Sequence, residues 1–290
     1  MQRIVPTIWL DRNADEAASF YATAFPDTLI DNRVTYPTTD LPDFQADRAG
    51  ETLTVDVVID GYRLTLLNGG PEFGPTPAIS FFVNFDPSRM ADARGELDRL
   101  WERLTDGGIV LMPLDSYDFS EHYGWVADRY GVNWQLMLTD PAGEPRPYIV
   151  PNLMFGGQAR QAVDDYVALF PGARVGTRVT YPDGGSHSGK VMFSEFQLYG
   201  EWLTAMDSAV EQPFSFTPGL SLMVNADGQE EIDRLWNGLS AVTAAEQCGW
   251  LQDRYGVSWQ IVPDTMAELM SRPGAYGKLL GMKKLVIDEF

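Results

Sequence analysis

Short apolar runs and helix-length stretches follow one another along this chain in an order that recurs. Ile4 to Leu10 is a short apolar run of the kind a buried strand presents. Asn13 stands where a helix cap belongs. Behind it Ala14, Ala17, Tyr21 and Ala24 recur at helical spacing, and Phe25-Pro26 stops the pattern. Leu29 to Tyr36 is extended again. Thr52 to Ile59 and Tyr62 to Leu67 flank Asp60-Gly61, the sequence signal of a tight hairpin. A second series opens with Ala78 to Phe85. It continues as a helix over Ser88 to Asp106, with Leu97, Leu100, Trp101 and Leu104 inward and Gly107-Gly108 at its end. Ile109 to Met112, Trp125 to Arg129 and Asn133 to Leu138 then read as strands. The order is βαβββ, twice.

The double series is then repeated. Ile4 to Pro37 lies over Ile149 to Pro182, with Tyr21/Tyr166, Phe25/Phe170 and Pro26/Pro171 identical. Further on, Ser80 falls on Ser221, Val83-Asn84 on Val224-Asn225, Gly124-Trp125 on Gly249-Trp250, and Asp128 to Val132 on Asp253 to Val257. A fixed internal repeat sets the architecture before any chemistry is considered. The spacing between matches shrinks along the chain, so the second copy has shorter loops, mainly before its last strands. Loops are where deletions are tolerated.

Four βαβββ units thus stand in tandem, an α+β arrangement. The predicted boundaries are a first domain over 1–140, a linker over 141–147 (rich in proline), a second domain over 148–263, and a tail over 264–290. Met266, Leu269 and Met270 in the tail predict a short helix, and Leu285-Val286-Ile287 a final strand. So apolar a tail is expected to dock on the body.

Strand alternation assigns faces. Val132, Trp134 and Leu136 share one face, expected under the helices. Gln135 points the other way, to the opposite face of the sheet, and Gln260 does the same beside Trp259. Trp9 shares the face of Val5 and Thr7, and its counterpart in the second copy is Met154. Asn68 and Asp207 are paired polar residues at a strand end, read as turn-formers or rim contacts. Cys248 pairs with Tyr123, and His122 with Gln247. A thiol with no histidine motif beside it reads as inert rather than nucleophilic.

Charge removes several classes of partner. The 290 residues carry a formal net charge of −20, so nucleic acid and anionic membrane surfaces are not expected to bind. The single cysteine excludes an intrachain disulfide and suits the cytoplasm. No apolar run is long enough to span a bilayer.

The paired βαβββ units resemble the vicinal oxygen chelate superfamily of glyoxalase I, bleomycin-resistance proteins and extradiol dioxygenases. Several segments are similar to its PhnB-like branch, described as 3-demethylubiquinone-9 3-methyltransferases: Ala14 to Tyr21, Leu66 to Pro71, Gln247 to Leu251, Asp253 to Gln260, and Met282 to Leu285. The resemblance covers essentially the whole chain. It implies an α+β fold of tandem glyoxalase-like domains, each of two βαβββ units forming a cupped mixed sheet with helices outside, and the two copies packed as a fused pseudo-dimer.

Metal-using members of the superfamily place a His near the start of a unit's first strand and a Glu on a closing strand, where both hold a divalent ion. Those positions fall here on Pro6-Thr7 and Pro151-Asn152, and on Gln135 and Gln260. A neutral amide is a poor transition-metal ligand, so no metal or other cofactor is expected. The remaining expectation is a small, partly apolar ligand, bound or converted without metal. Its candidate contacts are Thr7, Trp9, Asn68, Gln135, Asn152, Met154, Asp207, Cys248 and Gln260. Three alternatives stand beside it: a metal-dependent lyase, isomerase or oxygenase; the methyltransferase of the branch's description; and a non-catalytic structural role. The sequence has no strand, glycine-rich loop and helix in succession of the kind common S-adenosylmethionine enzymes use.

Overall fold

A computed structural model describes residues 2–39 and 41–290. The first unit comprises β1 (Ile4–Leu10), α1 (Ala14–Ala24), β2 (Thr28–Thr35), β3 (Thr52–Ile59) and β4 (Tyr62–Asn68). The second comprises β5 (Ile79–Phe85), α2 (Ala93–Thr105), β6 (Ile109–Tyr117), β7 (Ser120–Ala127) and β8 (Asn133–Leu138). The third is β9 (Ile149–Phe155), α3 (Ala159–Leu169), β10 (Arg174–Thr180), β11 (Val191–Leu198) and β12 (Glu201–Asp207). The fourth is β13 (Leu220–Ala226), α4 (Gly228–Leu239), β14 (Trp250–Gln252) and β15 (Ser258–Pro263), followed by α5 (Met266–Met270) and α6 (Ala275–Gly281).

The fold is α+β with two mixed sheets and helices outside. Strand order is β14-β15-β13-β1-β4-β3-β2 in one sheet and β10-β11-β12-β9-β5-β8-β7-β6 in the other. Each sheet takes one unit from each copy. Strand β1 runs antiparallel to β13, with Thr7 opposite Ser221. Strand β5 runs antiparallel to β9, with Ser80 opposite Asn152. The first cup therefore belongs to units one and four, the second to units two and three. This exchange is what makes the tandem copies an intrachain pseudo-dimer.

The two units of a copy, now in different sheets, are tied together by the repeated Asp-Arg-Tyr-Gly-Val segment. Buried Asp128 accepts hydrogen bonds from the Tyr21 hydroxyl (2.8 Å), the Trp134 indole (2.9 Å) and the backbone of Tyr130 and Val132. Asp253 repeats the arrangement with Tyr166 (2.6 Å), Trp259 (2.9 Å), Tyr255 and Val257. Trp134 and Trp259 are wholly buried on the helix side, the face that strand alternation predicts. At the predicted hairpin Asp60 and Gly61 both adopt positive φ (47° and 79°), the backbone of a type I′ turn.

Three local expectations change. Asn13 makes no side-chain cap. Strand β4 lies parallel to β1, which brings Asn68 to the first turn of α1, where its Oδ1 accepts from the Ala14 N–H at 3.0 Å. Asp207 does the same for Ala159 at 2.9 Å. The helix predicted from Ser88 begins at Ala93, because Asp86 Oδ1 takes the Ser88 N–H and hydroxyl and makes a turn there. The final strand expected at Leu285-Val286-Ile287 is absent from that segment. Instead Met282 and Lys283 carbonyls accept from Cys248 and Gly249 backbone N–H groups (2.8 and 2.7 Å), Leu285 is buried, and a short 3₁₀ turn follows.

The shrinking repeat spacing also has a structural cause. Unit four has a 3₁₀ turn at Thr243–Ala245 where unit two has the edge strand β6. A shorter sheet leaves the concave face near that edge open, and the tail covers it. Leu269, Ala275, Met282, Leu285 and Phe290 form a cluster with Val262 and Met223 of β15 and β13.

Candidate functional site

The concave floor of the second cup is a row of neutral polar side chains, one from each central strand. The Tyr123 hydroxyl donates to Gln135 Oε1 (2.6 Å), and Gln135 Nε2 donates to Ser80 Oγ (2.7 Å). Asn152 Nδ2 also reaches Ser80 Oγ (3.3 Å), while Thr204 Oγ1 donates to Asn152 Oδ1 (3.0 Å). Register places them side by side: Ser80 opposite Asn152, and Asn152 beside Thr204. Burial pushes the Tyr123 hydroxyl well above its ordinary value, so it stays a donor.

One end of this cup opens into a cavity of about 300 Å³, walled by Phe82, Met137, Val150, Phe193 and Trp202, with Thr204 joining it to the polar floor. The linker closes its rim. Arg146 pairs bidentately with Glu195 (2.7 and 3.0 Å), and its guanidinium lies 4.4 Å above the Trp202 ring. Arg174 sits 5.2 Å from the same ring. Burial works to raise the Glu195 carboxyl, but the hydrogen bonds and charge of Arg146 outweigh it, and the net direction is downward. Apolar walls with a few fixed polar groups are the usual composition of a small-molecule site.

The first cup is built from the equivalent residues and differs. Gln260 donates to Ser221 Oγ at 2.9 Å, and Thr65 donates to Asp56 at 2.7 Å. Asp56 is paired with Arg63 of the same sheet at 3.0 Å. The Thr7 hydroxyl is buried with no hydrogen-bond partner among the described residues. Trp9 donates to the Gly70 carbonyl (2.8 Å) and packs edge-on against Phe73 and Trp250. Its indole lies over Gly69, where any Cβ would overlap the ring. Cys248 is held in a left-handed conformation (φ 52°) against the tail, and burial raises its thiol.

The sequence candidates thus separate. Gln135, Asn152 and Met154 belong to the second cup; Thr7, Trp9, Gln260 and Cys248 belong to the first. Asn68 and Asp207 are buried helix caps. Sequence reasoning did not single out Glu195, Trp202, Thr204 or Arg146. The Ser80/Ser221 identity was a usable signal for Ser80. Nothing in the linker composition marks Arg146, whose role depends on a partner 49 positions away. His122 bonds Asp98 (2.6 Å) and contacts Arg94, anchoring β7 to α2 outside either cup.

The donor set at the metal positions is neutral in either cup. At the ligand positions stand Thr7 with Gln260, and Asn152 with Gln135. All are neutral, and in the second cup both amides are held by Ser80, Tyr123 and Thr204. No group of three His, Cys, Asp or Glu side chains suited to an ion occurs among the described residues. These residues do not fit a divalent metal.

Comparison with known proteins agrees with the geometry. The family profile described as 3-demethylubiquinone-9 3-methyltransferase matches residues 2–137 and 147–262. A PhnB protein from Bacillus cereus is 28% identical, and the match covers 48% of this chain and 100% of that one (TM-score 0.41). A glyoxylase/bleomycin resistance protein/dioxygenase domain from Frankia is 19% identical over 47% of this chain and 90% of its own (TM-score 0.33). Glyoxalase I from Zea mays matches over 97% of this chain and 96% of its own at 12% identity (TM-score 0.55), a likeness of fold. No curated protein matches. Among the described residues, no helix is long and apolar enough to cross a membrane.

Proposed function

This chain belongs to the 3-demethylubiquinone-9 3-methyltransferase family within the glyoxalase superfamily, and from that premise we propose that its second cup binds a small, partly apolar molecule and acts without a divalent metal. The two domains are then residues 1–140 and 148–263, residues 141–147 join them, and residues 264–290 form a docking tail. One observation carries the reading. The second cup keeps an apolar cavity beside a polar floor, whereas the tail lies over part of the first. In this reading the ligand's apolar part lies against Trp202, Phe82 and Phe193, and a polar group meets Thr204 and the Asn152–Ser80–Gln135 row. Neutral donors and acceptors orient such a group without demanding a charge on it.

The test is titration with N-phenylnaphthylamine, an uncharged apolar fluorophore. Saturable binding that weakens about tenfold in Trp202→Ala is the expected result, since aromatic anchors dominate small contact patches. Binding unchanged by Trp202→Ala would overturn the reading.

Methyl transfer, which the family's description names, finds no support in the backbone. Gly69 and Gly70 follow β4 but lead into a turn rather than a helix, and Gly69 serves the Trp9 ring. Saturable S-adenosylmethionine binding by calorimetry would reverse that conclusion.

A further inference from the structure

A second cavity, of about 470 Å³, lies at the C-terminal end of β9 and shares no lining residue with the first. Its walls are aromatic: Phe155 meets Phe216 edge-on at 5.0 Å, and Tyr255 lies perpendicular to Phe155 at 6.4 Å. Phe214 and Met154 complete the apolar lining. Two nitrogenous groups enter it, Lys190 and His187. Among the described residues the half-buried Lys190 ammonium has no ion-pair or hydrogen-bond partner, although the chain carries −20 net charge. The ammonium approaches Gly157, at the turn into α3. Exposed Glu211 stands on the rim without an ion pair to either group.

The first copy shows what fills this place otherwise. Equivalence is fixed by backbone hydrogen bonds: Tyr36 N–H to Glu51 O matches Tyr181 N–H to Lys190 O, and Glu51 N–H to Arg48 O matches Lys190 N–H to His187 O. Glu51 thus occupies the place of Lys190, and it is 3.7 Å from Arg12. Trp9 occupies the place of Met154, and its indole requires Gly69 where the second copy has Ser208. Trading the indole for a thioether opens space, and trading Glu for Lys reverses the charge at its edge. The two changes together make one site.

We propose that this cavity binds a small aromatic carboxylate, with the carboxylate on Lys190 and His187 and the ring among Phe155, Phe214, Phe216 and Tyr255. Edge-to-face aromatic walls suit a ring, a half-buried unpaired ammonium suits one anionic group, and the volume is that of a small-ligand site.

Calorimetry with phenylacetate tests this, with benzyl alcohol as the uncharged comparison. Wild-type protein is expected to bind phenylacetate saturably and benzyl alcohol at least tenfold more weakly. Lys190→Glu, which installs the first copy's charge, is expected to weaken phenylacetate at least tenfold. Met154→Trp with Ser208→Gly, which installs the first copy's indole and the glycine it needs, is expected to abolish binding. Lys278→Glu, the same charge reversal at an exposed position of α6 that lines neither cavity, is expected to change phenylacetate affinity less than twofold. Failure of wild-type protein to bind phenylacetate, equal affinity for the alcohol, or an unaffected Lys190→Glu variant would each overturn the proposal. Circular dichroism on each variant separates lost binding from lost folding.

Discussion

The two cups start from one pattern and end as different sites. Both have a Gln–Ser pair on the floor, Gln260 with Ser221 and Gln135 with Ser80. Thr65 and Thr204 correspond as well, and each cup keeps one carboxylate, Asp56 or Glu195; the surroundings of these groups are exchanged. The first cup balances its carboxylate within the sheet, Arg63 on Asp56. The second puts Trp202 where Arg63 stands and brings the cation from the linker, Arg146 on Glu195 and over the indole. The first is covered by the C-terminal tail. The second is bordered by the β6–β7 hairpin, where Tyr117 and Phe119 pack on Tyr123. The lesson is that duplication preserved the hydrogen-bonded frame while the walls diverged, because a wall residue answers to fewer neighbours than a knot residue does.

The sharpest break of this comparison concerns what should be equal. Asp128→Ala and Asp253→Ala each strand four donors, three of them buried, and each is expected to cost about 4 kcal/mol in urea denaturation. A cost several-fold smaller at one site would deny that the two knots are equivalent. Next is the tail. Leu285 is fully buried, so Leu285→Ala is expected to cost about 3 kcal/mol, and to add N-phenylnaphthylamine binding at the first cup that wild-type protein lacks. Gly69→Ser places a side chain against Trp9 and is expected to cost about 2 kcal/mol, whereas Ser208→Gly stays within about 1 kcal/mol by thermal melts. Adding Trp9→Met to Gly69→Ser should recover most of the loss.

The smallest expected effect lies at the joint between the sheets. Glu201 of β12 accepts the backbone N–H groups of Arg3, just before β1, and of Ile4 at its start. Burial pushes its carboxyl up to about 7. A folded-state value above the unfolded one means the folded chain holds the proton more tightly between the two. Its contribution is therefore full below about 4.5 and is lost as pH rises through about 7, a change of about 1 to 2 kcal/mol after allowing for partial exposure. Glu201→Gln should flatten stability between pH 5 and 8; a profile as steep as the wild type's would place the titration elsewhere.

Much of the site was legible because strand alternation is a local property. The outward turn of Gln135 and Gln260, opposite the buried Trp134 and Trp259, follows from adjacent positions alone. Asn68 and Asp207 were legible as a pair but not as helix caps, since the helix they cap starts far away in sequence. Lys190 and Arg146 were not legible at all. A lysine in a glycine-rich loop and an arginine between prolines acquire a meaning only from what folds against them.

By itself, then, the sequence determined most of the strands and helices, the recurring unit, the family, and the neutral residues at Thr7, Asn152, Gln135 and Gln260, all of which depend on residue type and short spacing. Only the tertiary structure decided that unit one closes a sheet with unit four and unit two with unit three. Homologous units present alike strand edges, so their alternation patterns suit more than one partner. The choice is made by long-range backbone pairing and by the aspartate knots that hold each copy's halves in different sheets.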